Sequence, residues 1–333
     1  MRICLACSGG GHLRQILLLN NVYKDLDHYF VTQRTPLAES TSQEHRVHFV
    51  PDIALGLLTK SPRAWWSFLR NLSRSFAILW KERPTVILST GAGTALNTLM
   101  LGRLFGANVI FLETFAHTQT PSLTGRLVAP LAHAHLVQWP ALKERFPRAR
   151  VISPLSETGR TIPEKPPEDQ RTLVTVGTHG PFDRLIREVE KAVMEGKISA
   201  GVVAQVGSGG HKSTRFKCFE SCDPQEMERL LNESRLLITH AGTGSILSGL
   251  KAGCRVIAIT RQAAHGEHYD DHQVEILDEM VSRGAILGGR DPSCLMGLLE
   301  QVNDFSPKEI ILSTVELEAE IGRLFAEWGR VRS

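Results

Sequence analysis

The chain has 333 residues, of which 42% are hydrophobic and 22% charged, and a formal net charge of +3. That length holds two ordinary domains with sizeable cores. So small a net charge excludes a nucleic-acid partner gripped by bulk positive charge. The six cysteines, at 4, 7, 218, 222, 254 and 294, complete no zinc-ligand spacing with histidine, so reduced thiols and no metal are expected. No apolar window reaches the length of a membrane span, and Met1-Arg-Ile-Cys-Leu5 reads as the start of a strand with no leader. A cytoplasmic protein is expected.

In chain order, Ile3–Cys7 reads as a buried strand, Ser8-Gly-Gly-Gly11 as a turn and His12–Asn20 as a helix. Tyr29–Thr32 is a second strand. From Ser61-Pro62 to Pro84 the pattern predicts a long helix. Apolar residues recur in it at Trp65, Leu69, Leu72, Phe76 and Leu79, with Trp66 and Trp80 beside them, while Arg63, Arg70, Arg74 and Lys81 gather on another side. Three of the five tryptophans lie here. One reading is an amphipathic helix packed on its own sheet. The other, favoured by the Trp and Arg content, is a helix lying in a membrane interface. Thr85–Ser89 is a strand, Gly91-Ala-Gly93 a turn into a helix through Leu104, and Asn108–Leu112 a further strand that ends at Glu113.

Residues 156–170 carry proline and charge without apolar period and read as a linker between a first domain, 1–155, and a second, 171–314. The pattern then restarts. Thr172–Val176 is a strand, Gly177-Thr-His-Gly180 a turn and Phe182–Met194 a helix. Gly201–Val206, Leu236–Thr239 and Arg255–Thr260 are further strands, and a last helix, 315–333, is expected to cross back to the first domain. Strands alternating with helices predict an α/β protein of two doubly wound, Rossmann-like domains.

The densest chemistry lies in His240-Ala-Gly-Thr-Gly-Ser245 and Gly266-Glu-His-Tyr-Asp-Asp-His-Gln273. The first follows a strand and opens a helix, so amides at Gly242, Thr243, Gly244 and Ser245, with His240, can hold a diphosphate without a metal. Glycines kept only for positive φ are the plainer alternative. The second segment supplies Glu267, Asp271 and Gln273 for ribose or sugar hydroxyls, although Asp271 also suits a helix cap. Thr178 lies on the neighbouring turn. The dinucleotide fingerprint fails, because its third glycine falls on Leu247 and Leu96, and no Walker pattern is present. No cofactor is therefore expected, and a UDP-sugar is the expected ligand.

Several motifs carry a resemblance. Leu173-Val-Thr-Val-Gly-Thr-His-Gly180, Ala204-Gln-Val-Gly207 and the two segments above resemble the catalytic, donor-binding subunit of the two-subunit GlcNAc transferase of dolichol-linked oligosaccharide synthesis. Ser8-Gly-Gly-Gly-His12, Ser89-Thr-Gly91, Ile110-Phe-Leu-Glu-Thr-Phe115, Ser122-Leu-Thr-Gly125 and Val137-Gln-Trp-Pro140 resemble its membrane-anchoring partner. Bacterial counterparts serve exopolysaccharide and capsule assembly. The resemblance implies a fused GT-B glycosyltransferase, inverting and metal-independent, that uses a UDP-sugar and a polyprenyl-diphosphate-linked acceptor at the inner membrane face. His117 stands where the family usually has arginine.

Inverting transfer needs a base for the acceptor hydroxyl. Glu113, ending an apolar strand, and His12, at a helix start, are the candidates, either one serving as base while His12 can also bind acceptor phosphate. Gly10, Gly11, Ser122 and Thr124 lie on the acceptor side. Trp65, Trp66, Arg70, Arg74 and Trp80 are the expected membrane contacts. Arg261 tilts the donor towards glucuronate, whose carboxylate it can pair. A UDP-sugar epimerase or hydrolase, and a non-catalytic UDP-sugar-binding partner, are the competing readings.

Overall fold

A computed structural model of the chain describes residues 1–53, 55, 61–163, 171–177, 180–198, 201–267 and 273–330. The chain divides into two compact units, Met1–Pro154 with the segment from Ser313 onward, and Leu155–Leu312.

In the first unit the strands are β1 (Arg2–Cys7), β2 (Asp27–Thr32), β3 (Val47–Phe49), β4 (Val86–Gly91), β5 (Asn108–Leu112), β6 (Ala134–Val137) and β7 (Arg150–Val151). Between them run α1 (Gly11–Leu17), α2 (Asn20–Tyr23), α3 (Pro36–Glu44), α4 (Pro62–Glu82), α5 (Gly93–Leu104), α6 (Leu123–Val128) and α7 (Leu142–Arg145). The sheet order is β3-β2-β1-β4-β5-β6-β7, with parallel pairing throughout. Residues 3–7 of β1 are wholly buried, as expected for a parallel strand covered by helices on both faces. The chain runs one way from β1 to β3 and the other way from β4 onward. The switch point therefore lies between β1 and β4, where the turns after those strands stand side by side.

Helix α4 turns its polar side inward. Its buried residues are Asn71, Ser75, Leu79 and Glu82, while Trp65, Trp66, Leu69, Phe76 and Trp80 are each about half exposed or more. Asn71 donates to the carbonyls of Pro51 (2.7 Å) and Thr94 (3.1 Å) and accepts from Ser75 and Asn97. Ser75 meets Thr98 at 3.0 Å, so α4 and α5 are joined by a satisfied polar seam. Glu82 is held by His48 (3.0 Å) and, at longer range, by Arg2 and Arg46. The helix stops at Arg83, whose φ of 46° is left-handed, because Pro84 cannot continue it.

The second unit contains β8 (Leu155–Thr161), β9 (Arg171–Thr175), β10 (Val202–Gln205), β11 (Lys217–Phe219), β12 (Ser234–His240), β13 (Arg255–Ile259), β14 (Leu287–Gly289) and β15 (Lys308–Leu312). Its helices are α8 (Asp183–Met194), α9 (Pro224–Asn232), α10 (Thr243–Lys251), α11 (Gln273–Ser282) and α12 (Leu295–Gln301). The main sheet runs β11-β10-β9-β12-β13-β14, all parallel, with its switch point between β9 and β12.

Part of the segment read as a linker is instead structured. Residues 155–161 form β8, paired antiparallel with β15. Most of β8 is exposed, so no apolar alternation marks it in the sequence, and its partner lies some 150 positions away. Residues 164–170 lie outside the described set. The last helix, α13 (Val315–Arg330), inserts Leu317, Ile321, Leu324 and Phe325 among Leu13, Ile16 and Tyr23 in the first unit's core.

Candidate active site

In the second unit the glycine turns collect at the C-terminal edge of the sheet, on either side of the switch point. His240 ends β12, and Gly242 caps α10 with no side chain to accept from the first-turn amides. The Gly242 amide already donates to the His240 carbonyl at 2.7 Å and the Ser245 amide to the Gly242 carbonyl at 3.0 Å, which leaves the amides of Thr243 and Gly244 to a ligand. Gly242 has φ of −83°, so positive φ is not the reason for glycine there. Space is the reason. A methyl on Gly242 would lie 2.2 Å from His240 Nε2, and one on Gly177 would lie 2.4 Å from His240 Cε1. The largely buried imidazole thus fills the gap between the two turns, and Gly177 also needs its φ of 74°. Thr243, Gly244 and Ser245 form the first turn of α10.

The Gly177 turn is held by a residue that the sequence reading quoted in a motif without assigning it a role. Gln205, 5% exposed at the end of β10, accepts from the Gly177 amide (3.1 Å) and donates to the Gly177 carbonyl (3.0 Å). Arg261, 1% exposed after β13, donates to the carbonyls of Val176 and, at 2.7 Å, Gly180. This corrects the expectation that Arg261 pairs with a donor carboxylate, because its guanidinium holds the turn from beneath. Gln273, also buried, accepts from the Arg261 amide at 3.2 Å and so braces the same corner.

Glu267 is likewise corrected as a free sugar ligand. Both carboxylate oxygens accept from Arg184, at 2.7 and 3.0 Å, and one also accepts from the Gln262 amide. Burial works to raise this carboxyl, but those hydrogen bonds outweigh it and hold Glu267 below the usual range. Arg184 also grips Asp291 at 2.7 Å, a cluster that no sequence spacing announces. Thr178 and Asp271 lie outside the described residues. Among the described residues no group of three or more His, Cys, Asp or Glu could hold a metal.

In the first unit the edge residues follow β1, β4, β5 and β6. The Ser8 amide donates to the Gly91 carbonyl at 3.0 Å, which ties the first two turns together. His12 Nδ1 lies 2.6 Å from the Thr90 carbonyl, and the Thr90 hydroxyl donates to the His12 carbonyl. A carbonyl can only accept, so Nδ1 carries a proton. Gly10 caps α1, and a methyl on Gly11 would meet open space.

Glu113 follows β5, one strand away from Thr90, and is 0% exposed. Burial pushes its carboxyl up to about 6, although Ser122, the amides of Thr114 and Ser122, and the charge of Arg126 pull it down. Oε1 accepts from the Thr114 amide at 3.2 Å. Oε2 makes no hydrogen bond and points at the underside of α6, where a methyl on Gly125 would lie 2.1 Å from it. Gln138 and Trp139, from the end of β6, donate to the carbonyls of Glu113 and Phe115, each at 2.8 Å, and fix this loop. Ser122 caps α6 by accepting from Gly125 at 2.9 Å. Thr124 is buried on the inner face of α6, the side on which Glu113 Oε2 lies.

Among the described residues no helix is long and apolar enough to cross a membrane. The membrane residues expected from the sequence do stand on the outer face of α4. Trp65, Trp66 and Trp80 are 53%, 65% and 61% exposed, and Arg70 and Arg74 are exposed beside them.

Two parallel, doubly wound sheets with turns gathered at their switch points define the GT-B fold class. Solved structures agree on the fold. MurG of Acinetobacter baumannii superposes with a TM-score of 0.65 at 14% identity, covering 97% of this chain and 99% of its own. The UDP-GlcNAc 2-epimerase of Methanocaldococcus jannaschii gives 0.67 at 10% identity, covering 98% and 100%. In sequence, residues 57–155 match the family described as oligosaccharide biosynthesis protein Alg14 like, and residues 171–304 the glycosyltransferase family 28 C-terminal domain.

The UDP-N-acetylglucosamine transferase subunit alg14 of Schizosaccharomyces pombe is 31% identical over 166 residues, 43% of this chain and 78% of the relative. The mouse subunit ALG14 is 26% identical over 175 residues, 45% and 80%. The chain belongs to the Alg14-like family, and it carries the glycosyltransferase 28 C-terminal domain in the same polypeptide.

Proposed function

We propose that the protein is an inverting, metal-independent glycosyltransferase moving a sugar from a UDP-sugar to a polyprenyl-diphosphate-linked saccharide at the cytoplasmic face of a membrane. The observation that carries the lipid acceptor is α4, a helix that buries asparagine and serine and exposes tryptophan, phenylalanine and arginine. A helix packed only for its own core has the opposite arrangement, whereas an interfacial helix has this one. The same observation weighs against the epimerase reading. Fold alone does not separate the two, since structural neighbours of both kinds exist.

In the proposed reaction Glu113 takes the proton from the acceptor hydroxyl as that oxygen attacks C1. With its carboxyl near 6, the group is mostly ionised at neutral pH and still basic enough to accept. The C1–O bond to UDP breaks on the opposite face, and the leaving diphosphate gathers charge against the amides at the start of α10. His12, oriented by Thr90, is the second candidate for the base. The curated relatives are named as UDP-N-acetylglucosamine transferase subunits, and UDP-GlcNAc is the donor this reading favours. The glucuronate donor expected from the sequence loses its support, because Arg261 is turned to backbone carbonyls.

The test is a labelled UDP-sugar panel, with and without a polyprenyl-diphosphate-linked saccharide, in the presence of EDTA. Labelled lipid only when acceptor is supplied is the expected result. Release of free epimerised or hydrolysed sugar without lipid label would overturn the reading, and loss of transfer with EDTA would overturn its metal independence.

A further inference from the structure

We infer that the outer face of α6, made by Leu123, Arg126 and Leu127, binds the diphosphate and first isoprene units of the acceptor lipid. The inference rests on the lipid-linked acceptor proposed above.

The helix has six residues that divide cleanly. Thr124, Gly125 and Val128 are buried, while Leu123 and Leu127 are 50% and 48% exposed and Arg126 is exposed between them. Spacing of three and four puts these three side chains on one face. Here a single cation is flanked by two half-bare leucines. Among the described residues no carboxylate forms an ion pair with the Arg126 guanidinium, and Glu113 feels its charge from across the helix. A guanidinium can hold two phosphate oxygens through its fork, and the leucines offer the apolar surface that an isoprenoid needs.

The second observation comes from beneath the same helix. Glu113, fully buried, aims Oε2 at Gly125 with no hydrogen bond made there. The residue next in sequence is Arg126. Carboxylate and cation therefore flank one helical turn, the carboxylate on its inner side and the cation on its outer side. A lipid-linked acceptor needs its diphosphate anchored close to the group that deprotonates its sugar. Anchoring on Arg126 also places the negative diphosphate against the positive charge, away from the ionised Glu113.

A phosphate on Arg126 could also belong to an anionic lipid of the surrounding bilayer, and the experiment separates the two sources. In one arm, isothermal titration with farnesyl diphosphate compares wild type with Arg126→Ala and Arg126→Lys. In another, the three proteins are co-sedimented with vesicles containing phosphatidylglycerol and no acceptor. In a third, KM is measured for the lipid-linked acceptor in detergent. The expected result is at least tenfold weaker farnesyl diphosphate binding and a tenfold higher acceptor KM for Arg126→Ala. Its UDP-sugar KM should stay within about threefold, its vesicle binding should be unchanged, and Arg126→Lys should be partly restored. Leu123→Ser with Leu127→Ser should weaken farnesyl diphosphate but not inorganic diphosphate.

Equal farnesyl diphosphate affinity in wild type and Arg126→Ala would overturn the subsite. So would loss of vesicle binding with an unchanged acceptor KM, which would make Arg126 a contact to bulk lipid. Failure of the lipid-acceptor reading would show differently, as wild-type protein that transfers sugar to no lipid-linked acceptor. The farnesyl diphosphate arm still decides the subsite in that case.

Discussion

Replacing Glu113 with glutamine separates the cost of the buried carboxylate from its use. Glu113 titrates near 6, against 4.5 for an ordinary glutamate, because burial disfavours its charge. At 1.36 kcal/mol for each tenfold change in proton affinity, that gap is about 2 kcal/mol. Since the folded value is raised, the group's contribution to stability is fully present below pH 4.5 and is lost as pH rises through about 6. Glu113→Gln has no such dependence. The stability difference between variant and wild type should therefore grow by about 2 kcal/mol in favour of the variant between pH 4 and pH 8. Any fixed offset from the amide itself cancels in that comparison. Urea titrations of both proteins across this range measure it, since all other groups titrate alike in the two. Transfer activity should fall by about 100- to 10,000-fold, and wild-type kcat/KM should drop about tenfold per pH unit below 6. A stability difference that is flat with pH would refute the burial argument. Intact activity in Glu113→Gln would move the base to His12.

His12→Asn keeps a donor near the Thr90 carbonyl but removes Nε2. It should fold normally by circular dichroism and lose at least about 100-fold in kcat if His12 is the base, or mainly raise acceptor KM if it binds phosphate. Gly242→Ala drives a methyl to 2.2 Å from His240 Nε2, so UDP affinity by calorimetry should fall at least tenfold; unchanged affinity would remove the diphosphate from this turn. Serine at Trp65, Trp66 and Trp80 should shift the protein off vesicles while changing folding stability by no more than about 0.5 kcal/mol per site, because the side chains are largely in water. Asn71→Leu removes the donor to the Pro51 and Thr94 carbonyls and the acceptor shared by Ser75 and Asn97, and should cost about 3 kcal/mol or more in urea denaturation. A neutral result there would mean that the α4–α5 seam does not hold the helix.

The sequence by itself determined the order of strand, turn and helix, and with it the two doubly wound sheets. It could do so because a parallel strand covered on both faces is an uninterrupted apolar run, as in Ile3–Cys7 and Ile257–Ile259, and because the turns that follow carry glycine. Those are local demands, readable within a few residues. They also placed Glu113, His12, His240 and Gly242 at strand ends. Only the tertiary structure decided what those side chains, and others near them, are turned towards. Arg261 and Glu267 read as ligands for a sugar until Val176, Gly180 and Arg184 arrived from distant positions to occupy them. The apolar stripe of α4 fits either a core face or a membrane interface in isolation, and the polar seam with α5 is what turns it outward. β8 has no pattern of its own and exists through β15. In each case the deciding partner lies well away in sequence, and sequence periodicity records whether a residue can be buried without recording what it will meet.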